Sequence, residues 1–217
     1  MTVLIGGAMS LTSVLLKPAQ DKQVELDTKK KILGAVMDIS TFNTPEEILN
    51  LYKARVKSVV VDIEGEIIST DAKGNPLIAE KVNAQKNHKI AREDRLYPIY
   101  MILNESDPNV VEAYVFPMFG LGLWDWISGY IALESDLNTV KGVAFDHKGE
   151  TPGLGARITE EKVRNRYKEN KKIFNEAGDL ESITMVKGEG KMGLSTHEVD
   201  GLSGATITAK GVNKMLK

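Results

Sequence analysis

Between residues 97 and 145 the chain passes through four short apolar or aromatic runs, 97–103, 110–116, 124–133 and 140–145, each parted from the next by turn residues. Runs of this length, rich in β-branched and aromatic side chains, predict an antiparallel sheet with one face buried. The flanking segments read differently. Thr44-Pro45-Glu46-Glu47 is an N-cap with proline at the first helical position, opening a helix to about Arg55. Residues 59–68 suit a strand or hairpin turning at Gly65, and 69–94 form a polar stretch punctuated by Gly74-Asn75-Pro76. A charged helix is expected over 160–174, a strand over 183–186 and a last helix over 207–216. Helices, a block of strands, then helix, strand and helix predict an α+β fold, a largely antiparallel sheet with flanking helices.

At 217 residues the chain suits one domain of moderate size, or a compact domain plus an anchor. Residues 3–16 carry no charge and stop at Lys17-Pro18. As a helix this run covers about 20 Å, short of the roughly 30 Å hydrocarbon core. A signal peptide, a buried helix and the later part of a membrane helix are the alternatives, and the last is preferred: residues 1–18 as the remnant of an N-terminal membrane anchor, 19–217 as the domain. Behind Lys29-Lys30-Lys31, the residues Ile32, Leu33, Val36 and Met37 form an apolar helical stripe. The chain has no cysteine, which excludes disulfides, iron–sulfur ligation and a thiol nucleophile. His88, His147 and His197 are too far apart in sequence for a zinc motif and read as surface residues. A net charge of −2 excludes a general attraction for nucleic acid.

Chemistry concentrates in Asp200-Gly201-Leu202-Ser203-Gly204-Ala205-Thr206-Ile207-Thr208. Small residues and hydroxyls directly before a helix suit a phosphate site, because the free N–H groups of the first turn and the positive dipole end point at the anion. The plain alternative is a helix cap, with Ser203 or Thr206 as the capping residue. The string from Asp200 to Thr206 resembles the flavinylation motif of the covalent FMN-binding domains at every fixed position. That resemblance implies an FMN whose phosphate is esterified to Thr206 by a separate flavin transferase acting on FAD.

Two further stretches are informative. Gly120-Leu121-Gly122-Leu123-Trp124-Asp125-Trp126 sets two glycines beside two indoles, suited to a flat ligand or to a bend between strands with core tryptophans. Glu150-Thr151-Pro152-Gly153-Leu154-Gly155 can border a ligand's polar rim or be a surface turn. With residues 133–142, both resemble the C subunits of the sodium-pumping NADH:quinone oxidoreductases, from about Arg95 to the C-terminus. The resemblance implies a member of a multi-subunit complex in the bacterial inner membrane, with one N-terminal helix and a domain on the periplasmic face. It also implies electron transfer through the bound FMN, without independent catalysis. Carried over, Thr206 is the attachment site; Ser203, Gly204, Ala205, Ile207 and Thr208 surround the phosphate; Glu150, Thr151, Gly153 and Leu154 lie along the isoalloxazine; Leu123 and Trp124 line the remaining side.

Two rival functions are the G subunit of an Rnf ferredoxin:NAD oxidoreductase, which shares the same motifs, and a non-redox, membrane-tethered binding module. Gly188-Glu189-Gly190-Lys191-Met192-Gly193 satisfies the dinucleotide fingerprint G-x-G-x-x-G, but neither a following helix nor an acid about 20 positions on supports it. It reads as a turn, from which Lys187 or Lys191 could reach the flavin phosphate.

Overall fold

A computed structural model describes residues 2–168 and 170–217. Five strands form one antiparallel sheet in simple sequence order: β1 (Val56–Val61), β2 (Tyr97–Leu103), β3 (Val111–Leu121), β4 (Trp126–Glu134) and β5 (Val140–His147). Helices α1 (Thr2–Gly34) and α2 (Pro45–Arg55) precede it; the short α3 (Ala84–His88) falls between β1 and β2. After the sheet come the short α4 (Glu161–Asn165), a two-residue parallel pair of β6 (Thr184–Met185) and β7 (Glu198–Val199), and α5 (Thr206–Met215). The α+β class and the antiparallel sheet with flanking helices are as expected.

Thr44 starts α2 with a full capping box: its hydroxyl accepts from the Glu47 N–H at 3.3 Å, and the Glu47 carboxylate accepts from the Thr44 N–H. The hairpin after β1 turns at Gly65, whose φ of +87° suits glycine. The polar stretch 69–94 is less irregular than expected, holding α3 and two 3₁₀ turns, Ala79–Lys81 and Arg92–Asp94.

The expectation of a sheet buried on one face needs correcting, because both faces are covered. On one, Ile127, Ile131, Leu133, Val143 and Phe145 pack under α4 and α5 with Ile158, Val163, Ala209 and Val212. On the other, Tyr100, Ile102, Ala113, Val115, Ala132 and Ala144 pack beneath α1 and α2 with Ile32, Leu33, Ile48 and Tyr52. Successive strand residues point to opposite faces, so β4 and β5 are apolar at consecutive positions because both faces receive helices.

Three element boundaries also differ. β3 runs on to Leu121, through Pro117, because β4 pairs along its full length. Its pairing with β2 stops at Val115, so the missing proline N–H falls where β3 has no neighbour on that edge. β4 begins at Trp126 and leaves Leu123 and Trp124 in the turn. The expected helix over 160–174 is only Glu161–Asn165; Asn170 adopts φ +53°, and beyond it Val140 donates its N–H to the Lys171 carbonyl at 2.8 Å. Pairing with the start of β5 outcompetes continuation of the helix.

Residues 3–16 lie in the first half of α1, which continues through Pro18. The side chains described from Ile5 to Glu25 all face solvent, and α1 enters the core from Leu26. Among the described residues, no helix is long and apolar enough to cross a membrane.

Candidate functional site

The first turn of α5 emerges beside the β3–β4 turn and the segment that follows β5. Ala205 is its N-cap, with φ −123° and ψ 36°, and no side chain caps it. The plain capping role foreseen for Ser203 or Thr206 is therefore not taken up. The first bond within the helix is Ala209 N–H to the Ala205 carbonyl at 2.9 Å, so helix geometry leaves the N–H groups of Thr206, Ile207 and Thr208 without an intrahelical acceptor. Thr206, the first helical residue, is half-buried, and its hydroxyl engages no group among the described residues. Gly204 precedes it with φ +76°; a Cβ there would lie 2.7 Å from Leu154 Cδ2, which shows how closely the motif lies against the turn after Glu150.

Glu150 is buried, only 4% exposed, and its carboxylate joins three segments. Oε1 accepts the N–H groups of Leu123 at 2.8 Å and Trp124 at 3.0 Å; Oε2 accepts the Thr208 hydroxyl at 2.5 Å. Burial opposes ionisation, but the Thr208 hydroxyl and the two amides outweigh it, with a smaller contribution from His147, and hold the carboxyl below its ordinary range. Space for it comes from missing side chains. A Cβ on Gly122 would fall 2.4 Å from Oε1, and one on Gly155 2.3 Å from Oε2. Thr208, foreseen near the phosphate, is itself buried, with its hydroxyl committed to Glu150.

Around Thr206 the surface is apolar yet exposed. Trp124 is 70% exposed and donates its indole N–H to the Thr151 hydroxyl at 3.2 Å. Leu121, Leu123, Leu154 and Ile207 are also exposed, while Trp126 turns back and packs on Phe119 with ring centroids 4.8 Å apart. Trp126 is half-buried and belongs to neither core, so neither indole takes the core role that a bend between strands would give both. Gly153, at φ +74°, permits the turn in which Leu154 and Ala156 donate to the Thr151 carbonyl. The structure thus brings Leu123, Trp124, Glu150, Thr151, Gly153, Leu154 and the 203–208 segment together.

Asp200 is engaged by the 188–193 loop. Its carboxylate accepts the N–H groups of Gly190 and Lys191, each at 2.9 Å, and so fastens the 188–193 loop to the motif. That loop is a turn, as expected, with Gly188, Gly190 and Gly193 all at positive φ. Its Glu189 receives both guanidinium nitrogens of Arg157, at 3.0 and 2.8 Å, and one of Arg166 at 2.9 Å. The two guanidinium groups hold the Glu189 carboxyl far below the usual carboxylate range. Arg166 also donates to the carbonyls of Asp200 and Gly201. Lys187 and Lys191 are exposed, and Lys191 lies beside Gly188.

Sequence reasoning missed this Arg157–Glu189–Arg166 network, whose members lie 23 and 32 residues apart with no local signature. It also missed the steric role of Gly122 and Gly155, which lie inside the informative motifs. A surface position for all three histidines is too uniform an expectation: His88 is exposed, but His147 and His197 are half-buried, with Nδ1 enclosed and without a partner among the described residues. No group of side chains among the described residues is arranged to hold a metal ion.

The FMN-binding domain family matches residues 122–217, the part of the chain that builds this surface. The C subunit of the Na(+)-translocating NADH-quinone reductase of Pseudomonas aeruginosa is 31% identical, over 99% of this chain and 84% of its own length. The chain belongs to the family of C subunits of Na(+)-translocating NADH-quinone reductases. The C subunit of Haemophilus ducreyi is 32% identical over 94% of this chain and 80% of its own. The crystal structure of the C subunit from Parabacteroides distasonis superposes with a TM-score of 0.74 at 32% identity, covering 93% of this chain and 91% of that one.

The residues present fit an FMN. An uncapped helix start offers N–H donors to a phosphate, an unengaged hydroxyl stands at its first position, and exposed apolar side chains adjoin it.

Proposed function

We propose that this chain, as the C subunit of a sodium-translocating NADH:quinone reductase, relays electrons through an FMN joined to Thr206 by a phosphoester. The observation that carries this reading is the Thr206 hydroxyl, unengaged at the uncapped start of α5 and bordered by exposed Leu123, Trp124, Leu154 and Ile207. The first-turn N–H groups of α5 hold the phosphate, with Ser203, Gly204 and Ala205 leaving room for it to approach. Leu123, Trp124, Thr151, Gly153 and Leu154 border the ring system. Bound there, the flavin supplies the redox chemistry, while the protein retains it and sets its surroundings.

No base lies within the motif itself: Asp200 is occupied by Gly190 and Lys191, and Glu150 by Leu123, Trp124 and Thr208. Attachment is therefore the work of a separate flavin transferase, which takes FMN from FAD. The other subunits of the complex are the electron partners. The first half of α1, apolar and exposed from Ile5 to Leu16, is the chain's attachment to the inner membrane, with the domain on the periplasmic face. The naming of the relatives as C subunits of such a reductase favours this reading over the G subunit of an Rnf complex, and the FMN-binding family favours it over a non-redox module.

A carrier needs no dinucleotide site. The G-x-G-x-x-G loop is occupied by its own Glu189 and by Asp200, and the net charge is −2. The flavinylated domain is expected to bleach with dithionite and to keep its colour with NADH over seconds in a stopped-flow trace. Fast, saturable bleaching by NADH would make it a dehydrogenase in its own right.

A further inference from the structure

The resemblance places Glu150 along the isoalloxazine, yet both of its carboxylate oxygens are engaged within the protein. One oxygen takes two backbone amides from the β3–β4 turn and the other takes the Thr208 hydroxyl, two residues beyond Thr206. Gly122 and Gly155 close over the two oxygens so tightly that neither could carry a Cβ. His147 on β5 makes a smaller electrostatic contribution to the same carboxylate.

We propose that Glu150 is a positioning residue, a clamp that fixes the Trp124 turn to the first turn of α5 and so presents Thr206 to the flavin transferase. The clamp acts at both ends. At one, an ionised acceptor draws the amides of Leu123 and Trp124 inward, and the indole is braced again by Thr151. At the other, Thr208 is held down on the buried side of α5, which turns Thr206 toward the surface: positions two apart in a helix differ by about 200° in direction. The same bond removes Thr208 from competition as an acceptor, since its hydroxyl proton is committed and its side chain enclosed.

This inference rests on Thr206 as the attachment residue, and its test separates the two. Apo-protein and purified flavin transferase are mixed with FAD, and the initial rate of flavin attachment is read for wild type, Glu150→Gln, Thr208→Val, Thr208→Ser and the Glu150→Gln/Thr208→Val double variant. The amide resonances of Leu123 and Trp124 are recorded on the same apo-proteins. Loss of the clamp is expected to slow attachment about tenfold, a modest misplacement of a reacting group. In Glu150→Gln both amide protons should move upfield, because a charged acceptor has become a neutral one. Thr208→Ser, which keeps the hydroxyl, should restore the rate. The double variant should be no slower than the worse single one, since both changes break one device.

Wild-type rates in Glu150→Gln and Thr208→Val, unmoved resonances, or a Thr208→Ser rate as low as that of Thr208→Val overturns the clamp alone. A wild-type chain that takes no flavin at Thr206 overturns the clamp's purpose and the proposed function with it.

Discussion

Tyr167 follows α4 into the core, fully enclosed and set edge-on to Phe145 with ring centroids 5.3 Å apart. Its hydroxyl has no hydrogen-bond partner among the described residues, and burial pushes its ionisation well above the ordinary phenol range. A buried polar group without a partner costs about 1–3 kcal/mol. Tyr167→Phe is therefore expected to raise the thermal midpoint, with a gain of about 1 kcal/mol in denaturant unfolding. A loss of similar size would mean that the hydroxyl is satisfied by an enclosed water. The residues of the site divide along similar lines. Thr206 could be singled out in the sequence because its neighbours form a contiguous motif. The separate task of Thr208 could not, because it depends on Glu150, 58 positions away. Trp124 and Trp126 look alike as letters, but the turn sends one outward and β4 turns the other onto Phe119.

Among the elements, those with local causes were legible. α2 begins where Thr44, Pro45 and Glu47 place it, and the strands from Tyr97 to His147 follow apolar runs. The helix expected over 160–174 failed because its pattern of charge was local while the competing contact, Lys171 to the start of β5, was not. The second buried face of the sheet was equally hidden. A continuous apolar run does not say which helices will come to lie over it. α1 combines both situations. Leu26, Ile32 and Leu33 are buried against the sheet, whereas the described side chains from Ile5 to Glu25 touch no core. Removing residues 1–18 is thus expected to leave the thermal midpoint and flavin content nearly unchanged, while Leu33→Ala costs about 2–5 kcal/mol. A loss of several kcal/mol on removing 1–18 would show that this half of α1 packs on the domain instead of serving the membrane.

For the whole molecule, the sheet divides two cores with different duties. The face beneath α1 and α2 is a structural support, to which all five strands contribute, β2 and β3 most. The face under α4 and α5 carries Leu202, Ala205, Ala209 and Val212, so the helix that starts at Thr206 is seated directly on the strands. Gly211 packs so closely on Leu121 that a Cβ would meet its carbonyl oxygen at 2.2 Å. The 188–193 loop and the segment after Glu150 are pinned around the same helix start by Asp200, Glu189 and Glu150. A rigid cradle with an open apolar border suits a cofactor that stays bound and meets its electron partners from outside. The most direct test is mass analysis of the chain made with and without a flavin transferase, followed by peptide mapping. One FMN, less one water, is expected on the peptide containing Thr206, only when the transferase is present, and absent from Thr206→Ala. Flavin on Ser203 or Thr208, or an unmodified chain in the presence of an active transferase, would contradict the account.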